Sequence, residues 1–229
     1  AILVCASLAA SGSIAVYFAY QDNKINLVRL QGEKATAAAY RIEQYIREIE
    51  HQIGWTVLLS GDSSLAQRRL DCLRLLRQVP SITEVRLLDA TGREYLQVSR
   101  LSMDVAGSGK DYSQTPPFNE VRSDRTYFSP VYFRKETEPY MTIAMAGSGE
   151  DAGVTVAEVN LKFIWDVVAQ IKAGQAGYAY VVDTSSQLVA HPDISLVLRK
   201  TDFSSLRQVQ AARSAISQPP AEQEDYPIA

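Results

Sequence analysis

The spacing of apolar residues divides the first part of the chain into two helical segments. Residues 1–20 contain no charged side chain, and about 20 residues at a rise of 1.5 Å match the hydrocarbon thickness of a bilayer. Residues 21–59 contain no proline, and isoleucines from Ile42 to Ile53 recur there at spacings of 4, 3 and 4, which marks one apolar face of a helix. The pattern predicts a transmembrane helix over 1–20 and a long stalk helix over 21–59.

Each of these segments has a second interpretation. A signal peptide is also apolar, but its core is about 7–15 residues long and ends at small residues, whereas bulky aromatic residues such as Tyr17 and Phe18 continue this run. The isoleucine face of the stalk packs either against its own domain or against a second copy of the chain, and its short length favours the first. We expect a membrane-anchored chain that forms a homodimer.

Beyond the stalk, helical spacing alternates with the two-residue period of strands. Helices are predicted at 65–79, from 116, at 161–172 and from about 202 to 217. Strands are predicted at 82–89, 94–99, 177–183 and 187–190, with three more inside 126–161. The order of helix, hairpin and helix begins again after Gly174 and is incomplete at Ala229. The predicted fold class is therefore α+β, with one antiparallel-sheet unit and the start of a second.

The segment 126–161 combines apolar strand residues with a small number of polar ones. Its polar members of interest are Tyr127, Ser129, Tyr132, Tyr140, Thr142 and Glu158. A mostly apolar surface with a few placed polar groups is typical of a pocket wall. An ordinary half-buried sheet has the same composition, so the residues alone leave both interpretations open.

Charge and reactive residues narrow the function classes. The chain has 23 basic and 26 acidic residues and a net charge of -3, without a Lys/Arg cluster, which argues against a nucleic-acid partner. Cys5 lies in the apolar run and Cys72 on an amphipathic segment, so we expect no disulfide between them. The two histidines, His51 and His191, form no evident catalytic or metal-binding motif. We predict neither a catalytic residue nor a metal nor a cofactor.

Five motifs, in their order along the chain, carry a resemblance to a known family. They are YFSPVYF at 127–133, TEPYMTIAMA at 137–146, AGVTVAEVNL at 152–161, GYAYVVD at 177–183 and LVAHPDISLVLRKTDFSSL at 188–206. With the predicted membrane helix and stalk, they make the chain resemble the double Cache extracytoplasmic sensor domains. The resemblance implies two stacked PAS-like units: a membrane-distal unit at 60–161, a connecting helix at 162–174 and an incomplete membrane-proximal unit at 175–229.

The resemblance also implies where a ligand binds, between the distal sheet and the loop and short helix that cover it. In family members that bind amino acids, an Arg, a Trp and an aromatic residue hold the ligand's carboxylate, and an Asp on a later strand holds its amine. Aligned on DYSQTPPF at 111–118, Thr115 takes the Arg position, Pro117 the Trp position and Phe118 the aromatic position. Glu158 takes the position of the Asp.

The departure at Thr115 changes the expected ligand. A carboxylate is held best by a bidentate Arg, so an ordinary amino acid is not expected unless Arg100, Arg122 or Arg125 replaces the missing one. A neutral, cationic or differently held molecule fits better. The predicted ligand-binding residues are Tyr112, Thr115, Phe118, Tyr127, Ser129, Tyr132, Tyr140, Thr142 and Glu158.

Two functions from different classes follow. The first is the periplasmic small-molecule sensor of a receptor in the bacterial inner membrane, with a histidine kinase as the leading output and a nucleotide cyclase or chemoreceptor as alternatives. In that case ligand closes the loop 107–118 onto the sheet and shifts a conformational population. The second is a dimerisation and spacing module that binds nothing, in which the sheet tyrosines are core residues.

Overall fold

One continuous helix leads into a domain in which helices pack on an antiparallel sheet. The computed structural model of the protein describes residues 2–59, 64–121, 125–134, 138–147, 153–173 and 177–217. Helix α1 spans Ile2–Leu59. Helix α2 spans Leu65–Gln78 and begins after Ser64, whose Oγ accepts a hydrogen bond from the Gln67 amide at 3.3 Å, as an N-cap serine does.

The central sheet has seven strands. They are β1 Ile82–Leu88, β2 Glu94–Ser99, β3 Val105–Ala106, β4 Thr126–Phe128, β5 Tyr132–Arg134, β6 Glu138–Ala146 and β7 Val154–Asn160. The strand order is β3-β2-β1-β7-β6-β4, and β5 pairs with β6 as well. β4 and β5 were predicted as one strand. The structure divides that strand around Pro130, which has no amide hydrogen to donate, so the described residues of 126–161 form four strands rather than three.

Smaller elements complete the described chain. Helix α3 spans Pro116–Asn119 and α4 spans Lys162–Gln170. Strands β8 Lys172–Ala173, β9 Gly177–Tyr178, β10 Val181–Val182 and β11 Leu188–Ala190 are followed by helices α5 Ile194–Leu198 and α6 Arg207–Ser217. Of the hairpin predicted at 177–183 and 187–190, only β10 and β11 pair, since β9 pairs with β8. Helix α5 was not predicted.

The isoleucine face of α1 is part of the domain core. Successive residues of a strand point to opposite faces, and on one face of the sheet apolar residues such as Val85 and Ile143 meet the helices. Ile49 and Ile53 of α1 are 1% and 0% exposed in this cluster, with Ile42 and Ile46 packed against it. The expectation that this face packs on its own domain is confirmed. Because they are buried in the core, Ile49 and Ile53 are not accessible as contacts between two copies of the chain.

The transmembrane helix predicted over residues 1–20 is not found among the described residues. No helix in that part of the chain is long and apolar enough to cross a membrane. Helix α1 continues through position 20 without a break.

Candidate functional site

The face of the sheet opposite α1 and α2 holds a buried cluster of charged side chains centred on Arg86. Residue alternation places Glu84 and Arg86 of β1 on this face, and the register sets Glu84 opposite Glu158 of β7. Arg86 Nη1 donates to Glu158 Oε1 at 3.2 Å, Arg86 Nη2 contacts Glu84 Oε1, and Arg86 Nε lies 3.9 Å from Glu94 Oε2. One guanidinium is therefore within ion-pair distance of three carboxylates.

All three carboxylates lie deep in the protein. The side chains of Glu84, Glu94 and Glu158 are 7%, 2% and 6% exposed, and that of Arg86 is 17% exposed. Burial lowers the pKa of Arg86, but the neighbouring Glu84 and Glu158 outweigh it and raise the pKa above its ordinary value, which keeps the guanidinium charged. Removing charges from water costs several kcal/mol each unless partners compensate. Arg86 is the partner on which this cluster depends.

Glu158 connects the charged cluster to the hydroxyls predicted from the sequence. Tyr132 donates its hydroxyl to Glu158 Oε2, and Thr142 Oγ1 lies 3.3 Å from the same oxygen. Burial, opposed by the charge of Arg86 and reinforced by Glu84, raises the pKa of the Glu158 carboxyl from 4.5 to about 7. Glu158 thus changes charge near neutral pH.

The loop before α3 forms a roof over the cluster. The Tyr112 ring lies over Arg86, with the guanidinium carbon 5.6 Å from the ring centre. The loop is tied to the start of β2 because the Glu94 amide donates to the Lys110 oxygen at 2.9 Å and the Tyr112 amide donates to the Gly92 oxygen at 2.8 Å. Ser108 also donates its hydroxyl to Glu94 Oε1. These hydrogen bonds fix the first half of the roof to the start of β2.

An apolar patch adjoins the charged cluster on the same face. Phe118 of α3 is 5% exposed and packs in a buried cluster with sheet residues such as Ala144 and Val156, and Tyr127 packs against that cluster. Tyr127 lies opposite Ala144 in the register of β4 and β6. The face therefore has one charged half and one apolar half, both beneath the segment 107–121.

The structure brings together most of the predicted ligand-binding residues and separates two. Tyr132, Thr142 and Glu158 are in direct contact, and the Tyr140 ring stacks on Tyr132 with centres 6.2 Å apart. Tyr112 joins them through Arg86, while Phe118 and Tyr127 line the apolar half.

Thr115 and Ser129 are bonded to backbone instead. Thr115 Oγ1 donates to the Tyr112 oxygen at 2.7 Å, and Ser129 Oγ accepts from the Thr142 amide at 2.8 Å. Their hydroxyls stabilise the roof and the break between β4 and β5.

The guanidinium at the centre of the cluster belongs to Arg86 of β1 and not to a residue near Thr115. Of the three proposed substitutes, Arg100 donates its Nε to the Ile82 oxygen at 3.0 Å, Arg125 is exposed, and Arg122 lies outside the described residues. Arg86 was missed, together with Glu84 and Glu94. The signal that could have found them is the alternation of Glu84 and Arg86 with apolar residues in β1, a pattern that was used only to predict the strand.

The pH dependence of stability should reveal Glu158. Because its pKa in the folded state exceeds that in the unfolded chain, its contribution to stability is complete below about pH 4.5 and is lost as pH rises through about 7. At about 1.4 kcal/mol per pH unit, the loss is on the order of 3 kcal/mol. We expect Glu158→Gln to remove this part of the fall in urea-measured stability between pH 5 and pH 8.

A matched control is Glu43→Gln, which removes an exposed carboxylate on α1 and should follow the parent chain at every pH. Other groups facing Glu158, namely Glu84, Arg86, Tyr132 and Thr142, are unchanged in both variants. Parallel curves for Glu158→Gln and the parent chain would contradict the assignment.

Comparison with known proteins gives a consistent family and fold. A family model described as Cache domain matches residues 20–227. No curated protein matches the chain. The ligand-binding domain of the Pseudomonas aeruginosa PAO1 amino acid chemoreceptor PctC, in complex with GABA, is 20% identical, with 74% of this chain and 76% of that chain covered and a TM-score of 0.59.

Two further solved structures have the same architecture. A protein named methyl-accepting chemotaxis protein X is 15% identical, with 81% of each chain covered and a TM-score of 0.64. The extracellular domain of mmHK1S-Z2, described as a histidine kinase, is 19% identical, with 82% of this chain and 83% of that chain covered and a TM-score of 0.62. At these identities the likeness shows the shared fold.

Proposed function

This chain belongs to the Cache domain family, and on that premise we propose that it is the small-molecule sensor domain of a bacterial transmembrane receptor. The ligand binds on the sheet face that carries Arg86 and Glu158, beneath the segment 107–121. The sensor lies outside the cytoplasm of a cell whose inner membrane holds the receptor, with a histidine kinase or a chemotaxis module as output. Relatives of both kinds share the fold.

The single observation that supports binding is the buried charge on the sheet. Well-packed apolar side chains of similar size are often as stabilising as a buried ion pair, or more so. A sheet that served only as core would not need three carboxylates and a guanidinium beneath a roof. Groups of this kind, next to an apolar patch, are suited to fix the orientation of a small molecule.

The contacts around α4 suggest a route for the signal. Glu158 and Tyr140 lie on β7 and β6, and the Leu161 amide, just after β7, donates to the Pro139 oxygen at 2.8 Å. Helix α4 follows at once. Its Phe163 ring stacks on Tyr45 of α1 at 4.1 Å, and its Trp165 Nε1 donates to the Val189 oxygen at 2.8 Å. A ligand that favours one arrangement of β6 and β7 would shift the position of α4 against α1 and β11.

The domain division remains part of this proposal. We infer that 60–161 is the distal, ligand-binding unit, that 162–174 connects, and that 175–229 begins a proximal unit. The alternative of a spacer that binds nothing is weakened because Ile49 and Ile53, the proposed dimer contacts, are buried in the core. A homodimer would have to use another surface of the chain.

The test is a thermal-shift screen of the full chain against metabolite libraries, followed by calorimetry of each hit. We expect saturable binding that Glu158→Gln and Tyr132→Phe each weaken about tenfold or more, a loss of about 1.4 kcal/mol. Tyr40→Phe, which removes the hydroxyl of a tyrosine that is 60% exposed on α1, should leave it unchanged. If no compound binds saturably, or if neither Glu158→Gln nor Tyr132→Phe weakens the binding, the proposed function is wrong.

A further inference from the structure

We propose that this site selects an organic cation, an amine or guanidine-type molecule without a carboxylate of its own. This inference rests on the proposed function and specifies its ligand class. It starts from the charges on the sheet face. Inside the cluster, Glu84, Glu94 and Glu158 face the single guanidinium of Arg86. A carboxylate that entered the cluster would bring a further negative charge next to these groups, whereas a cation would offset the charge that Glu158 carries above about pH 7.

The cations at the rim do not remove this negative charge. Arg134 Nη2 lies 3.9 Å from Glu84 Oε2, and its side chain is 30% exposed. Lys110 is exposed and contacts the Tyr112 ring, with Nζ 5.0 Å from the ring centre. Water screens charges at such positions. With Arg134 counted as a full partner, three carboxylates share two guanidinium groups, so the excess of negative charge is present above about pH 7, where Glu158 is ionised.

One carboxylate oxygen in the cluster needs a donor. Glu94 Oε2 is buried, accepts no hydrogen bond among the described residues and lies 3.9 Å from Arg86 Nε. Glu84 Oε1, by contrast, is in contact with Arg86 Nη2. A buried acceptor without a donor costs about 1–3 kcal/mol. An ammonium group brings three N–H donors and a guanidinium five, so a cation supplies what the Glu94 oxygen lacks.

The aromatic residues of the site already face positive groups. Arg86 lies over the Tyr112 ring, and the Arg134 guanidinium carbon is 5.0 Å from the centre of the Tyr140 ring. Tyr132 stacks on Tyr140 within the same wall. Aromatic faces attract cations most strongly where water is excluded. The aromatic residues of the site therefore already accommodate positive groups beside them.

A zwitterion suits this arrangement less well. Its carboxylate would need a guanidinium, and Arg86 is held by carboxylates on three sides. Releasing Arg86 to hold the ligand would leave those carboxylates buried without their partner. A ligand with positive charge alone leaves Arg86 in place.

The first experiment asks which charge the cluster accepts, whatever the natural ligand is. Arg86→Ala removes the guanidinium and leaves space beside the carboxylates. At pH 8 we expect N-ethylguanidinium to raise the melting temperature of this variant saturably, whereas N-ethylurea, which has a similar shape without charge, should not. Stabilisation by both compounds, or by neither, would overturn the inference.

The second experiment separates this inference from the proposed function. Hits of the metabolite screen on the full parent chain are sorted by charge at pH 7.5 and titrated into Glu158→Gln and into the exposed control Glu43→Gln. We expect cations to bind, with affinity at least tenfold weaker in Glu158→Gln and unchanged in the control. Hits that are anions, zwitterions or neutral molecules would overturn the cation inference and leave the sensor proposal standing. No hit of any class would overturn both.

Discussion

Replacing Arg86 by methionine is expected to destabilise the folded chain by about 3–5 kcal/mol at pH 8, because it removes the shared partner of three buried carboxylates. Methionine has a similar length and fills the space, so the loss measures charge rather than a cavity. Without the guanidinium, the pKa of Glu158 should rise further above its present value near 7. When folding raises the pKa of a carboxyl, the free energy of unfolding of the chain falls as pH increases. The destabilisation should therefore be largest at pH 8 and shrink towards pH 5.

Urea denaturation of both chains at several pH values measures this difference. Arg69→Met is the matched control, because Arg69 pairs with Asp104 at the surface, where its side chain is 54% exposed. Exposed pairs contribute about 0–1 kcal/mol, so the control should lose little at any pH. A similar loss in the two variants would contradict the central role of Arg86. So would a loss in Arg86→Met that does not change with pH.

The double variant Arg86→Met with Glu158→Gln gives an internal check. If the two side chains interact as the 3.2 Å contact indicates, neutralising Glu158 should recover part of the stability lost with Arg86. The two changes would then not be additive. Additive losses would mean that Arg86 stabilises the fold through its contacts with Glu84 and Glu94 and not through Glu158.

The half of the site made by β5, β6 and β7 could be predicted from the sequence. Tyr132, Thr142 and Glu158 lie on one strongly patterned segment, and adjacent antiparallel strands bring residues on the same face together. The register sets Thr142 opposite Glu158 and Tyr132 opposite Tyr140. Hydroxyls and a carboxylate on one face were therefore expected to meet.

The half made by β1 could not be predicted in the same way. Glu84 and Arg86 alternate with Val85 and Leu87, which is also the pattern of a strand with one face in water. Whether that face is covered depends on a loop placed more than twenty residues later. The loop bonds to β2 through backbone groups of Glu94 and Lys110, and backbone bonds leave little trace in side-chain pattern.

The helical pattern predicted up to position 20 and the one predicted from position 21 form a single helix, Ile2–Leu59. Proline, which would break a helix, is absent from this range. The burial of Ile49 and Ile53 followed correctly from their spacing, because one apolar stripe on an otherwise charged helix has to be covered.

Replacing Ile53 by alanine should destabilise the chain by about 2–5 kcal/mol, whereas the same change at Ile25 should cost less than about 0.5 kcal/mol. Both residues lie in α1, where alanine is the better helix former, so helix propensity cannot explain a loss at either site. Ile53 is 0% exposed in the core and Ile25 is 63% exposed. Denaturant midpoints of the two variants measure the difference. Similar losses would mean that α1 does not pack on the sheet through its isoleucine face. The route from β6 and β7 through α4 to α1 would then lose its physical basis.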